Sequence, residues 1–199
     1  YFGIGSNLSR KKLEGRSTDG TKIDIIRMEA AVVQNHRLAF NLRGFPPLEP
    51  GMGSLEPLPT TAKATKISKP LLAYHRPECH GALVALSPEN YEKVMKSEGI
   101  TGKPDQGYEE IVVTAIPYDN TKPPVKAVAL RARAHVRLTR DPCPSGRYMK
   151  ILKEGAHELD LTPSYQKFLA DHPTAQIPGW LRKIAIYNLI ATGLLSFKY

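Results

Sequence analysis

The sequence contains little cysteine and no long apolar run. Cys79 and Cys143 are the only cysteines among 199 residues, too few for a disulfide framework, so nothing indicates a secreted protein. No window reaches the roughly 18 uninterrupted apolar residues expected of a membrane-spanning helix. A Ser-His-Asp or Cys-His signature of nucleophilic catalysis is also missing. What remains is a chain of the length expected for one folded domain.

Acidic residues are outnumbered by basic ones. The 28 Lys and Arg residues against 19 Asp and Glu give a formal charge of +9. Such a surface attracts nucleic acid, anionic membranes or acidic proteins. The basic residues are nevertheless scattered in short groups at 10–12, 63–66 and 131–140, and the alternating group at 131–139 is typical of the solvated face of a strand. No nucleic-acid motif accompanies them, so we expect no nucleic-acid partner.

Two short motifs resemble cofactor sites, but neither is complete. GIGSNL, near the start, lacks the third glycine of a dinucleotide fingerprint at the required spacing. The HRPECH segment contains four side chains of metal-binding type: His75, Glu78, Cys79 and His80. Pro77 excludes a regular helical ligand face there, and no second cluster completes a tetrahedral site. We therefore expect no metal and no other cofactor.

Strand and helix signals follow one another without an internal repeat. Apolar runs predict strands over 1–4, 23–33, 36–44, 80–86, 108–118 and 125–138. Helices are predicted after the N-cap residues Ser9 and Ser87, from Pro144-Ser145 to Leu159, and over 162–173. Residues 44–70, rich in proline and glycine, predict a long irregular excursion. Because several strands are consecutive without crossover helices, an α+β barrel or mixed sheet is favoured over a doubly wound fold.

Three motifs occur in order along the chain: YFGIGSNL at the start, SEGI with Tyr108 nearby, and PSGRYMKILKEGAHELDLTPSYQKFL toward the C-terminus. Together they resemble the γ-glutamylcyclotransferase family over residues 1–172. The resemblance implies an α+β fold, a partly open six-stranded barrel of mixed sheet with flanking helices and a site at its mouth. It also implies release of 5-oxoproline from a γ-glutamyl amino acid or glutathione. Ile4 stands where the family commonly has tyrosine, so one hydroxyl near the first motif is missing.

The implied reaction is intramolecular, since the α-amine of the substrate attacks its own γ-carbonyl, and it needs no protein nucleophile. A single carboxylate can both remove and deliver the proton, and the resemblance gives this catalytic role to Glu98. Glycine and successive N–H groups after a strand suit an anion cradle, although an ordinary strand-to-helix turn is the alternative. The substrate-binding residues implied by the resemblance are Gly5, Ser6, Asn7, Leu8, Tyr1 and Tyr108. Tyr148 is expected mainly to pack its helix on the barrel.

The last segment, 173–199, is the most apolar part of the chain and is predicted to be helical. Trp180 beside Arg182 and Lys183 suits docking of residues 174–199 on a protein complex or a membrane surface. A helix that covers one side of the barrel is the alternative. This segment motivates a second hypothesis, a non-catalytic subunit of a larger assembly. We expect a cytoplasmic or plastid location, and a preceding segment because the chain begins at Tyr1 rather than Met.

Overall fold

The structure of the chain is a computed structural model that describes residues 1–16, 19–45, 48–58, 76–100 and 107–191. The strands it describes are β1 (Phe2–Gly3), β2 (Ile25–Gln34), β3 (His36–Phe45), β4 (Glu49–Pro57), β5 (Glu78–Leu86), β6 (Tyr108–Pro117) and β7 (Val125–Ala132). The helices are α1 (Arg10–Glu14), α2 (Pro88–Ser97), α3 (Gly146–Glu158), α4 (Pro163–Asp171) and α5 (Gly179–Ala191). A 3₁₀ turn over Gly5–Leu8 follows β1.

These strands form two sheets. One has five strands in the order β1-β5-β2-β6-β7, and the other pairs β3 with β4. Neighbouring strands in both sheets are antiparallel. The predicted α+β fold is confirmed, and the described strands do not form a closed barrel.

Strand β5 lies inside the larger sheet and is buried on both faces. Leu83 belongs to a core cluster that includes Met149 and Leu152 of α3. The next residue, Val84, belongs to a second cluster with Val94 of α2. Successive side chains of a strand point to opposite faces, so α2 and α3 cover opposite faces of the same sheet. The ends of these two helices are therefore available to approach the turn that follows β1.

The cap predicted at Ser87 is confirmed, and Ser145 caps the helix predicted to begin at Pro144-Ser145. The Ser87 hydroxyl accepts a hydrogen bond from the Asn90 N–H at 3.2 Å, and the Ser145 hydroxyl accepts from the Tyr148 N–H at 3.0 Å. Ser9 is the N-cap residue of α1, as predicted, but its side chain makes no cap hydrogen bond. Ser9 is buried against the preceding turn, where its N–H donates to the Ser6 carbonyl at 3.4 Å.

The predicted excursion over 44–70 contains a strand. Strand β4 pairs with β3 from His36↔Pro57 to Phe45↔Glu49. The glycines that suggested a loop instead permit close approach of backbones: a β-carbon on Gly51 would lie under 3.0 Å from the Phe40 carbonyl oxygen. Composition was therefore a poor guide here, and residues 59–70 lie outside the described part of the chain.

The predicted strand over 125–138 ends early. Strand β7 stops at Ala132, and a turn follows over 134–136. Arg137 closes this turn by donating from Nε to the Ala132 carbonyl at 3.1 Å. Arg131 and Arg137 both pair with the buried Glu56, at 3.0 and 3.2 Å. Two of the alternating basic residues, Arg131 and Arg137, are thus ion-pair donors around a turn, and the group does not form one solvated strand face.

Helix α5 exposes large apolar side chains. Trp180 is 65% exposed, Ile184 50% and Tyr187 74%. Its docking on a protein or a membrane stays a prediction. In the described part of the chain, no helix is long and apolar enough to cross a bilayer.

The exposure of Trp180 leads to a direct test, because it is the only tryptophan in the chain. We expect the long-wavelength emission of a water-exposed indole and strong quenching by acrylamide. A blue shift on adding anionic vesicles would support docking on a membrane surface. Blue-shifted, quencher-protected emission from the isolated protein would instead indicate that α5 covers the domain.

Candidate active site

The turn after β1 is held in an unusual backbone conformation. Gly5 has φ of +62°, a region that residues with a β-carbon rarely adopt. The Asn7 N–H donates to the Ile4 carbonyl at 3.2 Å, which folds the chain into the 3₁₀ turn. Gly5 and Ser6 open this turn, where N–H groups have no acceptor within the helix itself. The turn therefore places main-chain donors at one end of β1.

Glu98 lies immediately after α2, and the end of that helix holds it in place. The Gly99 N–H donates to the Lys96 carbonyl at 3.0 Å, and the Ile100 N–H donates to the Met95 carbonyl at 2.9 Å. This pair of bonds is a Schellman motif, which requires a left-handed residue after the cap, and Gly99 has φ of +77°. The Glu-Gly sequence thus ends the helix and directs the glutamate out of it.

The Glu98 carboxylate contacts the turn directly. Its Oε1 accepts from Asn7 Nδ2 at 2.8 Å and lies 2.7 Å from Arg16 Nη1. Only 11% of the Glu98 side chain is exposed. Among the described residues, no group donates to Oε2. One carboxylate oxygen is therefore held by two donors, and the other is left for an incoming group.

Arg16 connects the same two elements. Its Nη1 pairs with Glu98, and its Nη2 donates to the Ser6 hydroxyl. An acid at the C-terminal end of a helix faces the negative end of the helix dipole. The guanidinium offsets this unfavourable interaction and keeps Glu98 beside the turn.

Three buried or half-buried tyrosines surround this pair. The Tyr1 hydroxyl accepts from Asn7 Nδ2 at 2.7 Å. The Tyr148 hydroxyl accepts from the Gly53 N–H at 3.0 Å, and the Tyr108 hydroxyl donates to the Gly53 carbonyl at 2.8 Å. The N–H and the carbonyl of Gly53 are therefore each held by a hydrogen bond to a tyrosine side chain. The hydroxyls of Tyr1 and Tyr148 each keep a proton that they can donate.

Burial keeps these phenols neutral. It raises the pKa of Tyr148 to about 12, and the nearby Glu98 carboxylate adds to that shift. Burial first and the Glu98 charge second raise the pKa of Tyr1, and burial raises the pKa of Tyr108 well above its usual value. All three hydroxyls therefore remain protonated hydrogen-bond donors at neutral pH.

Removing the Tyr148 hydroxyl should destabilise the protein. Tyr148→Phe leaves the buried Gly53 N–H without its acceptor, and such a loss costs about 1–3 kcal/mol of unfolding free energy. Urea denaturation measures this change. Tyr187→Phe is the control, because Tyr187 is 74% exposed and should change nothing. Equal stability of Tyr148→Phe and the unmodified protein would contradict the described hydrogen bond.

The structure brings most of the predicted site residues together. Direct hydrogen bonds or ion pairs connect Tyr1, Ser6, Asn7 and Glu98 either to one another or through Arg16. Tyr108 makes none of these bonds, and its hydroxyl donates instead to the Gly53 carbonyl. The Leu8 side chain is buried in the core, so only the backbone of that residue is available to a ligand.

Sequence reasoning missed three members of this group: Arg16, Gly53 and the hydroxyl of Tyr148. Arg16 is one of 28 basic residues, and nothing local distinguishes it. Gly53 lies in the segment interpreted as an irregular excursion. Tyr148 does pack its helix as predicted, with its ring edge-to-face against Phe40 at 6.2 Å, but its hydroxyl also reaches the turn.

The HRPECH segment lies in a different part of the fold. His80 is buried, bonds to Tyr118 through Nδ1 and pairs with Glu78 Oε1 at 3.0 Å through Nε2. Cys79 is buried, and burial raises the pKa of its thiol to about 12. His75 lies outside the described residues. These side chains are thus engaged with protein partners in the described structure.

Comparison with curated proteins identifies two fungal relatives. The γ-glutamyl cyclotransferase gliK of Claviceps purpurea (strain 20.1) is 32% identical over 168 residues, which cover 83% of this chain and 68% of that protein. The protein of the same name from Aspergillus fumigatus is 27% identical over 182 residues, which cover 89% of this chain and 63% of that protein. The chain therefore spans about two thirds of the length of these relatives. No protein-family model matches the chain.

Solved structures agree on the fold. A γ-glutamyl cyclotransferase superposes with a TM-score of 0.64 at 17% identity, over 94% of this chain and 97% of its own. A human protein described as "uncharacterized protein loc79017" superposes with a TM-score of 0.63 at 18% identity, over 94% and 96% of the two chains. These two structures support the fold alone. The identity and coverage of the Claviceps relative show that the chain belongs to the γ-glutamyl cyclotransferase family.

Proposed function

We propose that the chain releases 5-oxoproline from γ-glutamyl amines, either γ-glutamyl amino acids or glutathione. The observation that carries this proposal is the Glu98 carboxylate, which lies 2.8 Å from Asn7 Nδ2 at the turn and has one oxygen that no described group donates to. A cyclotransferase needs one base beside donors that hold the glutamyl group, and this arrangement supplies both. The names of the curated relatives support the same reaction class.

The first step is proton removal from the α-ammonium by Glu98. The freed amine attacks the γ-carbonyl carbon, a carbon–nitrogen bond forms, and a five-membered ring closes. Because nucleophile and electrophile belong to one molecule, the enzyme gains rate by holding the substrate in its ring-closing conformation. The exposure of the Glu98 side chain supports this role: the side chain is largely buried, but its 11% exposed fraction leaves it reachable from outside the protein.

In the second step the γ-carbonyl oxygen becomes an oxyanion, and donors already aimed at it lower the barrier. The Gly5 and Ser6 N–H groups and the protonated hydroxyls of Tyr1 and Tyr148 are the candidates. The bond to the leaving amine then breaks, and protonated Glu98 returns its proton to the leaving nitrogen. The ring nitrogen still carries a second proton, which the regenerated Glu98 carboxylate removes and passes to the departing amine. Two protons in all therefore move from the α-nitrogen to the leaving nitrogen, and none is gained or lost.

The non-catalytic subunit is not favoured as an alternative. The family relatives carry an enzyme name, and the acid that the chemistry requires is present and held by two donors. Ile4, which replaces the tyrosine common in the family, is buried in the core. The Tyr1 and Tyr148 hydroxyls lie beside the turn that follows it. A plastid location stays a prediction.

A direct assay tests this function. Purified protein is incubated with γ-glutamyl-alanine or with glutathione, and 5-oxoproline is quantified by mass spectrometry. We expect release from at least one of them. The α-linked isomer of glutamyl-alanine is the control, because ring closure at its γ-carboxyl group cannot expel alanine. Absence of 5-oxoproline from both γ-linked compounds would overturn the proposal.

A further inference from the structure

Beside Glu98 lie two polar atoms that the folded chain leaves unused. Among the residues that the structure describes, Arg16 Nε and Asn7 Oδ1 are buried and have no hydrogen-bond partner. A buried donor or acceptor without a partner costs about 1–3 kcal/mol, so most such groups are satisfied in folded proteins. Two of them in one site, on the two side chains that hold the same Glu98 oxygen, indicate a ligand that supplies what is missing.

The orientation of the Asn7 amide is determined by its partners. A carboxylate only accepts hydrogen bonds, so the nitrogen of Asn7 must face Glu98 and its oxygen must point elsewhere. The same nitrogen also donates to the Tyr1 hydroxyl. The unused atom of Asn7 is therefore an acceptor, and the unused atom of Arg16 is a donor with positive charge.

These two unused groups match the two ends of an amino acid. An ammonium can donate to Asn7 Oδ1 and to the open oxygen of Glu98, and a carboxylate on the same carbon can accept from the Arg16 guanidinium. Arg16 Nη1 lies 2.7 Å from Glu98 Oε1, so the group that binds the carboxylate adjoins the group that takes the proton. Arginine binds carboxylates through two parallel N–H bonds, which also orient them.

We propose that Arg16 binds the α-carboxylate of the γ-glutamyl group through Nε and Nη2, in place of the Ser6 hydroxyl, while Nη1 stays paired with Glu98. This inference rests on the proposed function and names the residue that recognises the free α-carboxylate, which both proposed substrate types carry. It gives Arg16 a role in substrate recognition separate from the acid–base role of Glu98. The ion pair seen in the described structure keeps both side chains in place.

The test uses 5-oxoproline, which retains the α-carboxylate, and its primary carboxamide, which has the same ring without the charge. Calorimetric titration gives a dissociation constant for each compound. A charge-assisted hydrogen bond contributes about 1.5–3 kcal/mol, so we expect the unmodified protein to prefer 5-oxoproline by about 10-fold or more. Arg16→Gln should remove this preference and leave carboxamide binding within about 3-fold. Lys12→Gln, which removes a nearby exposed charge, should keep it.

Arg16→Lys separates charge from geometry, because lysine keeps the charge but lacks the planar pair of donors. We expect it to retain part of the preference, and a normal melting temperature shows that it folds. In the 5-oxoproline assay, Arg16→Gln should raise KM for γ-glutamyl-alanine about 10-fold with a smaller change in kcat, since the contact is made in both ground and transition states.

Three outcomes would overturn this assignment. They are an undiminished preference for 5-oxoproline in Arg16→Gln, equal weakening of both compounds by that variant, and failure of the unmodified protein to bind either compound. Arg16-dependent binding of 5-oxoproline without its release from either γ-glutamyl-alanine or glutathione would uphold the recognition role and overturn the catalytic function. Release of 5-oxoproline that Arg16→Gln leaves unchanged would uphold the catalytic function and overturn the recognition role of Arg16.

Discussion

Replacing Glu98 by glutamine should lower kcat for 5-oxoproline release by about 10²–10⁴-fold, the range that one general acid–base group supplies. The amide keeps the size of the side chain and an oxygen that can still accept from Asn7 and Arg16. It cannot take a proton from the substrate ammonium or return one to the leaving amine. KM should change much less than kcat, because the groups proposed to bind the substrate are retained. Steady-state kinetics with γ-glutamyl-alanine measure both constants.

Glu89→Gln is the matched control for this variant. Glu89 is at the other end of α2, its side chain is 77% exposed, and it pairs with Lys93 at 2.9 Å. Removing its charge should leave kcat and KM unchanged, since an exposed i,i+4 pair contributes only about 0.3–0.5 kcal/mol to stability. If the unmodified protein is active and Glu98→Gln retains that activity in full, Glu98 is ruled out as the base.

Adding a single methyl group at Gly5 should both destabilise the protein and reduce its activity. The backbone there has φ of +62°, and a β-carbon would lie well under 3.0 Å from the Tyr148 hydroxyl oxygen. The left-handed conformation costs about 1–2 kcal/mol for alanine. Displacing the hydroxyl breaks its bond with the Gly53 N–H, which adds about 1–3 kcal/mol. We therefore expect Gly5→Ala to lose about 2–5 kcal/mol of unfolding free energy.

Two further variants separate these contributions. Gly20 has a similar φ of +82°, but a β-carbon there would meet nothing within 4 Å. Gly20→Ala should therefore lose only the free energy that the left-handed conformation costs an alanine. Tyr148→Phe combined with Gly5→Ala removes the overlapping oxygen and should recover part of the loss relative to the sum of the single changes. Urea denaturation of the unmodified protein, the three single variants and the double variant measures these contributions. A Gly5→Ala variant no less stable than Gly20→Ala would show that the turn does not press against Tyr148.

Signals carried by neighbouring residues were predicted well. The Ser87 cap follows from a hydroxyl placed three residues before an N–H group. The Glu98-Gly99 pair marks the end of α2, because only glycine readily adopts the left-handed conformation that closes a Schellman motif. The family motifs are of this kind, since short contiguous segments build the turn and the helix ends.

Features that depend on distant partners were not predicted. Strand β4 looked like a loop because its glycines and prolines disfavour a strand locally, yet pairing with β3 outweighs that preference. The alternating residues near Arg137 looked like a strand face, yet buried Glu56 draws two arginines toward one carboxylate. In both segments a tertiary contact decided the structure against the local pattern.

The amino-acid sequence alone determined the α+β class and the family and gave Glu98 as the candidate acid, because periodicity, caps and contiguous motifs each depend on a few neighbouring residues. Tertiary structure decided which groups meet that acid. Asn7 and Glu98 are 91 positions apart, and only the sheet that carries the turn beside the end of α2 brings them within 2.8 Å. The same closure places the Arg16 charge against Glu98 and the Tyr148 hydroxyl against Gly5. Such contacts depend on the packing of whole elements, and no short stretch of sequence encodes them.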